Sequence, residues 1–438
     1  MARILNVTIV GGGISGLLAA RVLLEKHNVT IVERYAGNHE FGAAITLGPT
    51  AINIIETLGF DRKRGGTMAA EKILVWNKNL DRISENLTKK YTAKLSGDFT
   101  FSYRRDVWDE FLRLATSNEF PGSPAKILWE CNVVNVDVES GTVYLDDGQK
   151  IESDLVIAAD GIRSSVRNLV LQQEESVYAR PSGSSAFRFT IPAPVVREIH
   201  LKHGRTDDPL APNMNLYMSM DGSQRTCVTY PCRFGQLLSC AFVVPDKLIA
   251  RETIESWAAE AEEGEIRRLF HDFNPIFLDL ADRAEKPRCW RLRDQDPLHT
   301  YTRGCTMLIG DAAHAMTPHL GQGGTQAIED AAAFELFNDP DYDACTVEEI
   351  LQMMDRVRRQ RATQIQTWTR EFQTWKKRAL EERYTWYCWT YPGIKECLKR
   401  LNAGLEMIEL KHFNDTDAKH SQQQALIAKP GVLQEVVP

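Results

Sequence analysis

No apolar run in this sequence reaches the length of about eighteen residues that crossing a membrane requires, so no spanning helix is expected. There is no CxxC pair and no HExxH helix, and carboxylates and histidines do not cluster at ligand spacing, so neither a zinc centre nor a disulfide frame is indicated. The nine cysteines are odd in number and scattered, which reads as reduced thiols in a cytoplasmic compartment. An excess of basic charge is missing too. Lys and Arg number 52 against 59 Asp and Glu, and a formal charge of −7 argues against nucleic acid or an anionic membrane as the main partner. The chain enters an apolar strand at once, leaving no room for a secretory signal. Internal repeats and long low-complexity segments are absent as well.

What is present begins in the first thirty-three residues. Residues 4–10 form an apolar run of strand length, Gly11-Gly12-Gly13-Ile14-Ser15-Gly16 follows, and residues 17–26 carry apolar side chains at helical spacing. A second apolar strand at 29–32 ends at Glu33, seventeen residues after Gly16. Strand, glycine turn, helix, strand and acid make the βαβ unit that holds a dinucleotide. Gly11 permits the tight turn, Gly13 lets backbone approach a pyrophosphate, and Gly16 lets the helix pack close to the sheet. The helix N-terminus offers free N–H groups to phosphates, and Glu33 can accept ribose hydroxyls.

With 438 residues the chain has room for two or three domains. A helix is expected at 51–58 after Pro49-Thr50, strands at 73–77 and 99–103, and an amphipathic helix opening at Arg104-Arg105-Asp106. Apolar or alternating runs follow at 126–137 and 142–145, with Asp147-Gly148 as a hairpin turn, and 151–159 reads as one strand ending at Asp160-Gly161. From about 178 to 244 the pattern changes to antiparallel strands at 187–191, 215–220, 226–230 and 237–244, with Asp221-Gly222 as a turn. Residues 256–270 read as a helix, 290–293 and 305–309 as strands, the stretch from Gly323 to about 337 as a small-residue helix, and 348–383 as a long amphipathic helix. The residues from about 415 read as a loosely held tail.

Three glycine-acid segments stand out together: the opening unit, Asp154-Leu-Val-Ile-Ala-Ala-Asp160-Gly161-Ile-Arg-Ser-Ser-Val-Arg167, and Leu308-Ile-Gly310-Asp311-Ala-Ala-His314 running on through Pro318 and Gly321-Gln-Gly-Gly324 to Glu329-Asp330. In this order and spacing the chain resembles the FAD-dependent aromatic (group A) monooxygenases of the para-hydroxybenzoate hydroxylase fold. The run WRLRDQDPL at 290–298 is most similar to their salicylate-hydroxylase-like branch, common in fungal natural-product pathways. The resemblance covers roughly residues 4–340.

The implied fold is α/β: a Rossmann-like FAD-binding domain, a mixed-sheet substrate domain and C-terminal helices. FAD would be held by residues 1–178 (with a strand insertion near 70–100) and 286–345. Residues 179–285 would bind substrate, and 346–438 would form a helical segment and tail. Carried over residue by residue, the resemblance assigns the cofactor to Gly11, Gly13, Ser15, Gly16, Glu33, Arg34, Ala44, Arg104, Asp160, Asp311, Gly321, Gly323 and Gly324. Asp311 would accept a ribityl hydroxyl, Arg104 would contact the FAD phosphate and ribose region, and Asp160 would serve both FAD and the nicotinamide. The segment 321–324 would border the flavin pyrimidine edge. Two positions depart from the family pattern: Ala315 stands where Pro is usual, and Ala44 where the Gly-Ala-Gly-Ile loop has its second glycine.

For catalysis the resemblance points to Pro318 against the flavin ring, to Arg188 in Phe187-Arg-Phe189 as a donor facing flavin and substrate, and to Tyr230 on a strand lining the same cavity. Tyr217 is a neighbouring candidate, either tyrosine being able to orient a substrate hydroxyl, and His319 is a candidate proton donor. Each also has a plainer reading: an arginine paired at a domain interface, packing tyrosines, a surface histidine. His314 reads as a structural histidine, Asp160-Gly161 alone as a turn, and the Trp386, Tyr387, Trp389 and Tyr391 cluster as core. The absence of a second GxGxxG unit implies that NADH or NADPH binds transiently as co-substrate. In the implied reaction, nicotinamide reduces the flavin, dioxygen adds to it, and the hydroperoxide passes one oxygen to an electron-rich aromatic ring. A phenol or polyketide aromatic is the expected substrate. Epoxidation of an indole alkaloid, a non-oxygenating FAD reductase or oxidase, and a flavin-binding redox sensor stand as alternatives.

Overall fold

The computed structural model describes residues 3–37, 44–95, 97–173, 177–249, 259–285, 287–373 and 381–409. The tail from 415 lies outside the described residues, as do positions 42 and 43 of the glycine-alanine loop.

Six strands make the first sheet, in the spatial order Thr302–Arg303, Thr306–Leu308, Leu155–Ala158, Asn6–Val10, Asn28–Glu33 and Lys126–Trp129. All pair in parallel except the short edge strand Thr302–Arg303. Helices cover a parallel sheet on both faces, and this is why its strands are nearly continuous apolar runs in which Ile9, Ile31, Val156 and Ile157 are wholly buried. The C-terminal ends of adjacent strands carry Gly11, Ala159-Asp160 and Gly310-Asp311. The three glycine-acid segments, far apart in sequence, therefore meet at one sheet edge, where open α/β sheets bind their ligands.

Two expected strands are divided. Residues 151–159 split into Lys150–Glu152, which joins a three-stranded antiparallel sheet, and Leu155–Ala158 in the parallel sheet. The break is pinned by polar contacts: Asp154 accepts from the Asn6 N–H at 2.8 Å, and the Ser153 hydroxyl meets that of Thr8 at 2.6 Å. The run 126–137 divides in the same way into Lys126–Trp129 and Val133–Asp137.

The second sheet has eight strands, ordered Ala259–Glu260, Arg288–Asp294, Arg180–Pro192, Leu237–Pro245, Thr226–Cys232, Asn213–Met218, Lys72–Asn77 and Arg82–Leu87. The four expected antiparallel strands form its centre, and strands from either side in sequence extend it. The expected helix at 256–270 is mostly not helical. Residues 256–258 lie outside the described residues, Ala259 and Glu260 pair with Cys289 and Arg288, and the helix is only Glu265–Leu269. Gly264 at φ +69° sets its start. The described helical stretches are Val347–Gln373 and Glu381–Trp389, and residues 374–380 between them are outside the described set.

Alternation gives the second sheet two unlike faces. On one, Phe187, Phe189, Cys227, Cys240 and Phe242 are buried in a core completed by Ile199, Phe270 and Phe277 of the helical layer. The other face carries Arg188, Ala241, Val228 and Leu216, all only half-buried, and looks toward the first domain. A third core bridges the domains, joining Phe99, Phe101, Trp386 and Trp389 with Tyr230 of the sheet and Met316 and Leu320 of the loop after Asp311. Arg233 adds a polar clamp, donating twice to Asp106 at 2.6 Å at the start of helix Arg104–Thr116. Among the described residues no helix is long and apolar enough to cross a membrane.

Candidate active site

The opening turn has the shape a pyrophosphate needs. Gly11 adopts φ +107°, and a Cβ there would lie 2.4 Å from the Ala159 carbonyl oxygen; one on Gly16 would lie 2.1 Å from the Gly11 carbonyl oxygen. Gly13 instead faces open space. It caps helix Ile14–Leu23 with no side-chain bond, so the first-turn N–H groups remain available to an anion. Glu33 accepts from Gly12 N–H at 2.7 Å and from Tyr35 N–H at 2.9 Å, and each oxygen keeps a lone pair for a sugar hydroxyl. Trp108 donates to the Gly12 carbonyl at 2.8 Å and so braces the turn from helix Arg104–Thr116. Arg34 is exposed over the Tyr35 ring. Ser15 is buried, with its hydroxyl against Gly310, and joins the first glycine segment to the third.

Asp311 is exposed at the start of the short helix Asp311–His314, just after strand Thr306–Leu308 and following Gly310 at φ +59°. Its backbone is held by Arg167, a wholly buried guanidinium that donates to the carbonyls of Ala312, Ile162, Val177, Gly161 and Asp311 at 2.7 to 3.4 Å. Burial lowers the Arg167 pKa while Asp160 and Asp311 oppose that shift, so this one side chain locks the second and third segments together. Sequence reading placed Arg167 inside a motif but gave it no part. Asp160 caps the following helix, accepting from Ser165 N–H at 2.8 Å, and its other oxygen is buried without a partner.

After Asp311 the chain turns through Pro318–Leu320, where Pro318 is exposed. Gly321 sits at φ +63° and Gly323 faces open space at the start of helix Gly323–Ala333, whose N-terminus has no side-chain cap. Two uncapped helix N-termini, three glycine turns without room for a side chain and an exposed carboxylate just past a strand end form a donor set that fits an extended dinucleotide. Ala44 is half-buried at the start of strand Ala44–Leu47 and pairs with Tyr103, one residue before Arg104.

On the second sheet Arg188 keeps accessible surface although protein surrounds it, as a side chain facing a cavity does. Among the described residues no hydrogen bond or ion pair holds it. Burial lowers its pKa, Tyr230 opposes that shift and Arg104 adds to it, so the three side chains share one electrostatic environment. An arginine stays charged even so. Tyr230 stacks on Phe101 with centroids 5.0 Å apart, and burial pushes its hydroxyl up to about 12 despite Arg188, leaving a neutral phenol bonded to Ser239.

Two tyrosine and histidine expectations change. Tyr217 lies on the opposite face, edge-on to Phe277 at 4.6 Å and stacked over Trp76, because it pairs with Cys227 and so projects with it into the second core. Burial lowers His319 to about 4 with no charged neighbour to offset it. At neutral pH it is a neutral imidazole that can hydrogen-bond, not the protonated donor expected; its Nε2 is buried without a partner.

Beneath the loop from Asp311 to Gly321 lies a charge network that local motifs do not reveal. His314 Nε2 sits 2.6 Å from Asp330, which also accepts from Gly310 N–H at 2.9 Å and Arg358 at 2.8 Å. Glu329 binds Arg358 at 2.7 Å and Arg361 at 2.6 Å, and Arg361 reaches the carbonyls of Tyr387 and Cys388. All five charged or polar groups are buried. His314 is thus a hydrogen-bonded structural histidine, and Trp386 and Trp389 are core residues.

The family model described as "FAD binding domain" matches residues 5–195 and 239–369. The chain is 30% identical over 365 residues to FAD-dependent monooxygenase cfoG of Aspergillus candidus, covering 83% of this chain and 84% of that one. It is 30% identical over 376 residues to a salicylate hydroxylase of Pseudomonas putida, with 83% and 84% covered. A solved salicylate hydroxylase substrate complex superposes with a TM-score of 0.70 at 26% identity, covering 98% of this chain and 99% of that one.

Proposed function

The chain belongs to the FAD-binding-domain family and is an FAD-dependent monooxygenase of aromatic substrates; from that premise we propose that it hydroxylates a phenol-type ring held between Arg188 and the loop at Pro318. The observation that carries this reading is the uncompensated Arg188 guanidinium on the cavity face, beside Tyr230 and within the electrostatic reach of Arg104. Bound FAD supplies the redox chemistry and the activation of dioxygen.

The residues of the chain have the remaining tasks. Arg188 favours the ionised phenol, whose electron-rich ring accepts oxygen more readily, and offers a rigid fork of donors to an oxyanion. Tyr230 stays protonated and orients the ring through its hydroxyl, while Phe101 fixes the Tyr230 plane. Pro318 presents a flat, donor-free surface, and the third core keeps water from the reacting centre. Gly11, Gly13, Gly16, Glu33, Arg34, Arg104, Asp160, Asp311 and the 321–324 turn hold the cofactor in this reading. Residues 1–178 and 286–345 form the cofactor domain, except that the strands Lys72–Asn77, Arg82–Leu87 and Arg288–Asp294 join 179–285 in the substrate sheet, and 346–438 brace both. NADH or NADPH is the reductant, a pathway of secondary metabolism the setting, and the cytoplasm the compartment, in keeping with nine free cysteines.

The test uses purified holoenzyme, a panel of phenols and indoles, NAD(P)H and isotopically labelled dioxygen. A phenolic product carrying one labelled oxygen per nicotinamide consumed supports the reading. Release of hydrogen peroxide with no labelled product from any member overturns it. Arg188→Met should retain FAD and lose product formation by about a hundred-fold or more, and an unchanged rate removes Arg188 from the site.

A further inference from the structure

We infer that the cavity over the second sheet is built for an aromatic oxyanion, phenolate or carboxylate, that carries an extended apolar arm. The inference rests on the reading of Arg188 above and adds the shape of the substrate to it.

One cross-strand row carries the argument. Arg188 lies opposite Ala241, Ala241 opposite Val228, Val228 opposite Leu216, and Leu216 opposite Val75. Adjacent strands are about 4.8 Å apart, so the row runs for about 19 Å from the guanidinium. That is far longer than one aromatic ring. All five residues are half-buried, whereas positions between them in sequence, Phe187, Cys240 and Cys227, are wholly buried on the other face. Among the described residues Val75, Leu216 and Val228 pack into none of the three cores. Their apolar surface thus stays available within the fold, where an apolar ligand group would gain by covering it.

The two ends of the row differ in chemistry. Toward the aliphatic row the same-face neighbours of Arg188 are small, Ala186, Ala241 and Ser239, while on its other side it lies opposite Arg288, so this end of the row is cationic. A cation enclosed by protein without a partner is costly until an anion pairs with it. Beyond Ala241 the row carries only branched aliphatic side chains as far as Val75, which offer nothing to a sugar or a phosphate ester. Along one side, Tyr230, Met214 and Ile73 pack against the third core and make a wall. The floor fits a ligand that is anionic at one end and hydrocarbon along its length.

The experiment titrates holoenzyme with phenol and its para-ethyl, para-butyl and para-hexyl derivatives, and in parallel with the matching benzoates, reading the perturbation of flavin absorbance. The expected result is a Kd that falls by up to about four-fold for each methylene covered. The arm that binds more tightly identifies the oxyanion as phenolate or carboxylate. Leu216→Trp and Val228→Trp, on different strands and each checked for FAD retention, should return the hexyl derivative to the affinity of its parent. Equal affinity along both series overturns the groove and leaves Arg188 standing. A length dependence that neither tryptophan variant alters also overturns it. Absence of binding by every member overturns the groove and the Arg188 reading together.

Discussion

A methyl group on Gly11 would sit 2.4 Å from the Ala159 carbonyl oxygen, so the first glycine of the turn is fixed by the neighbouring strand as well as by its own φ of +107°. His319 shows the same dependence on surroundings in its charge. Burial lowers its pKa to about 4 from an ordinary 6.5. Between those values the unfolded chain binds a proton that the folded chain refuses, so stability falls as pH drops through the window and is unaffected above it. The full effect is on the order of 3 kcal/mol at its acid end. His27 and His200 are lowered by burial as well and share in the acid loss. Thermal unfolding of holoenzyme from about pH 7 to about pH 5 should show a falling Tm, with a shallower fall in His319→Gln. Parallel slopes for the two proteins would place the acid sensitivity elsewhere.

At the scale of elements, helix Gly323–Ala333 sits between the Asp311 loop and the long helix Val347–Gln373. Its acids Glu329 and Asp330 face Arg358 and Arg361, all buried. Burial alone would raise the Asp330 pKa, but His314 and Arg358 outweigh it and hold the carboxyl well below the usual range. Since Asp330 also binds the Gly310 N–H, the network sets the position of the Asp311 loop. Removing one partner strands a buried charge. Arg358→Met should cost about 3–5 kcal/mol and release FAD at lower temperature than wild type, read by unfolding scans with free-flavin fluorescence. An unchanged release temperature would mean that the network does not hold the loop.

Across the whole molecule, the third core is what joins the two domains. Trp389 stacks on Phe99 with centroids 5.0 Å apart, Phe99 meets Phe101 edge-on at 5.8 Å, and Phe101 stacks on Tyr230. Helix Glu381–Trp389 is thereby coupled to the substrate sheet through aromatic contacts. Trp389→Ala should lower stability by about 3–5 kcal/mol. It should also raise the fraction of NAD(P)H converted to hydrogen peroxide, because water reaches the reacting centre. Unchanged coupling in a folded, yellow variant would show that this core braces the domains without sealing the site.

Much of this was open to a reader of the chain alone. The βαβ unit, the glycine-acid segments and the central strands of the second sheet depend on local chemistry: turns that need glycine, period-two or continuous apolar runs, and an acid at a strand end. Side-chain alternation placed Arg188 opposite Phe187 and Phe189, so its facing direction was implicit in three consecutive residues. Other features were invisible because they arise between distant residues. The break at Ser153-Asp154 follows from bonds to Thr8 and Asn6, and the backbone role of Arg167 from carbonyls more than a hundred residues away. Tyr217 and Tyr230 look alike in sequence, and only strand register puts them on opposite faces. The sequence by itself determined that a dinucleotide-binding unit exists, since a strand-turn-helix unit is specified within thirty residues. Tertiary structure alone decided which charges are paired, which face lines the cavity and what closes it, because each is set by neighbours that meet only when the sheets and the C-terminal helices pack.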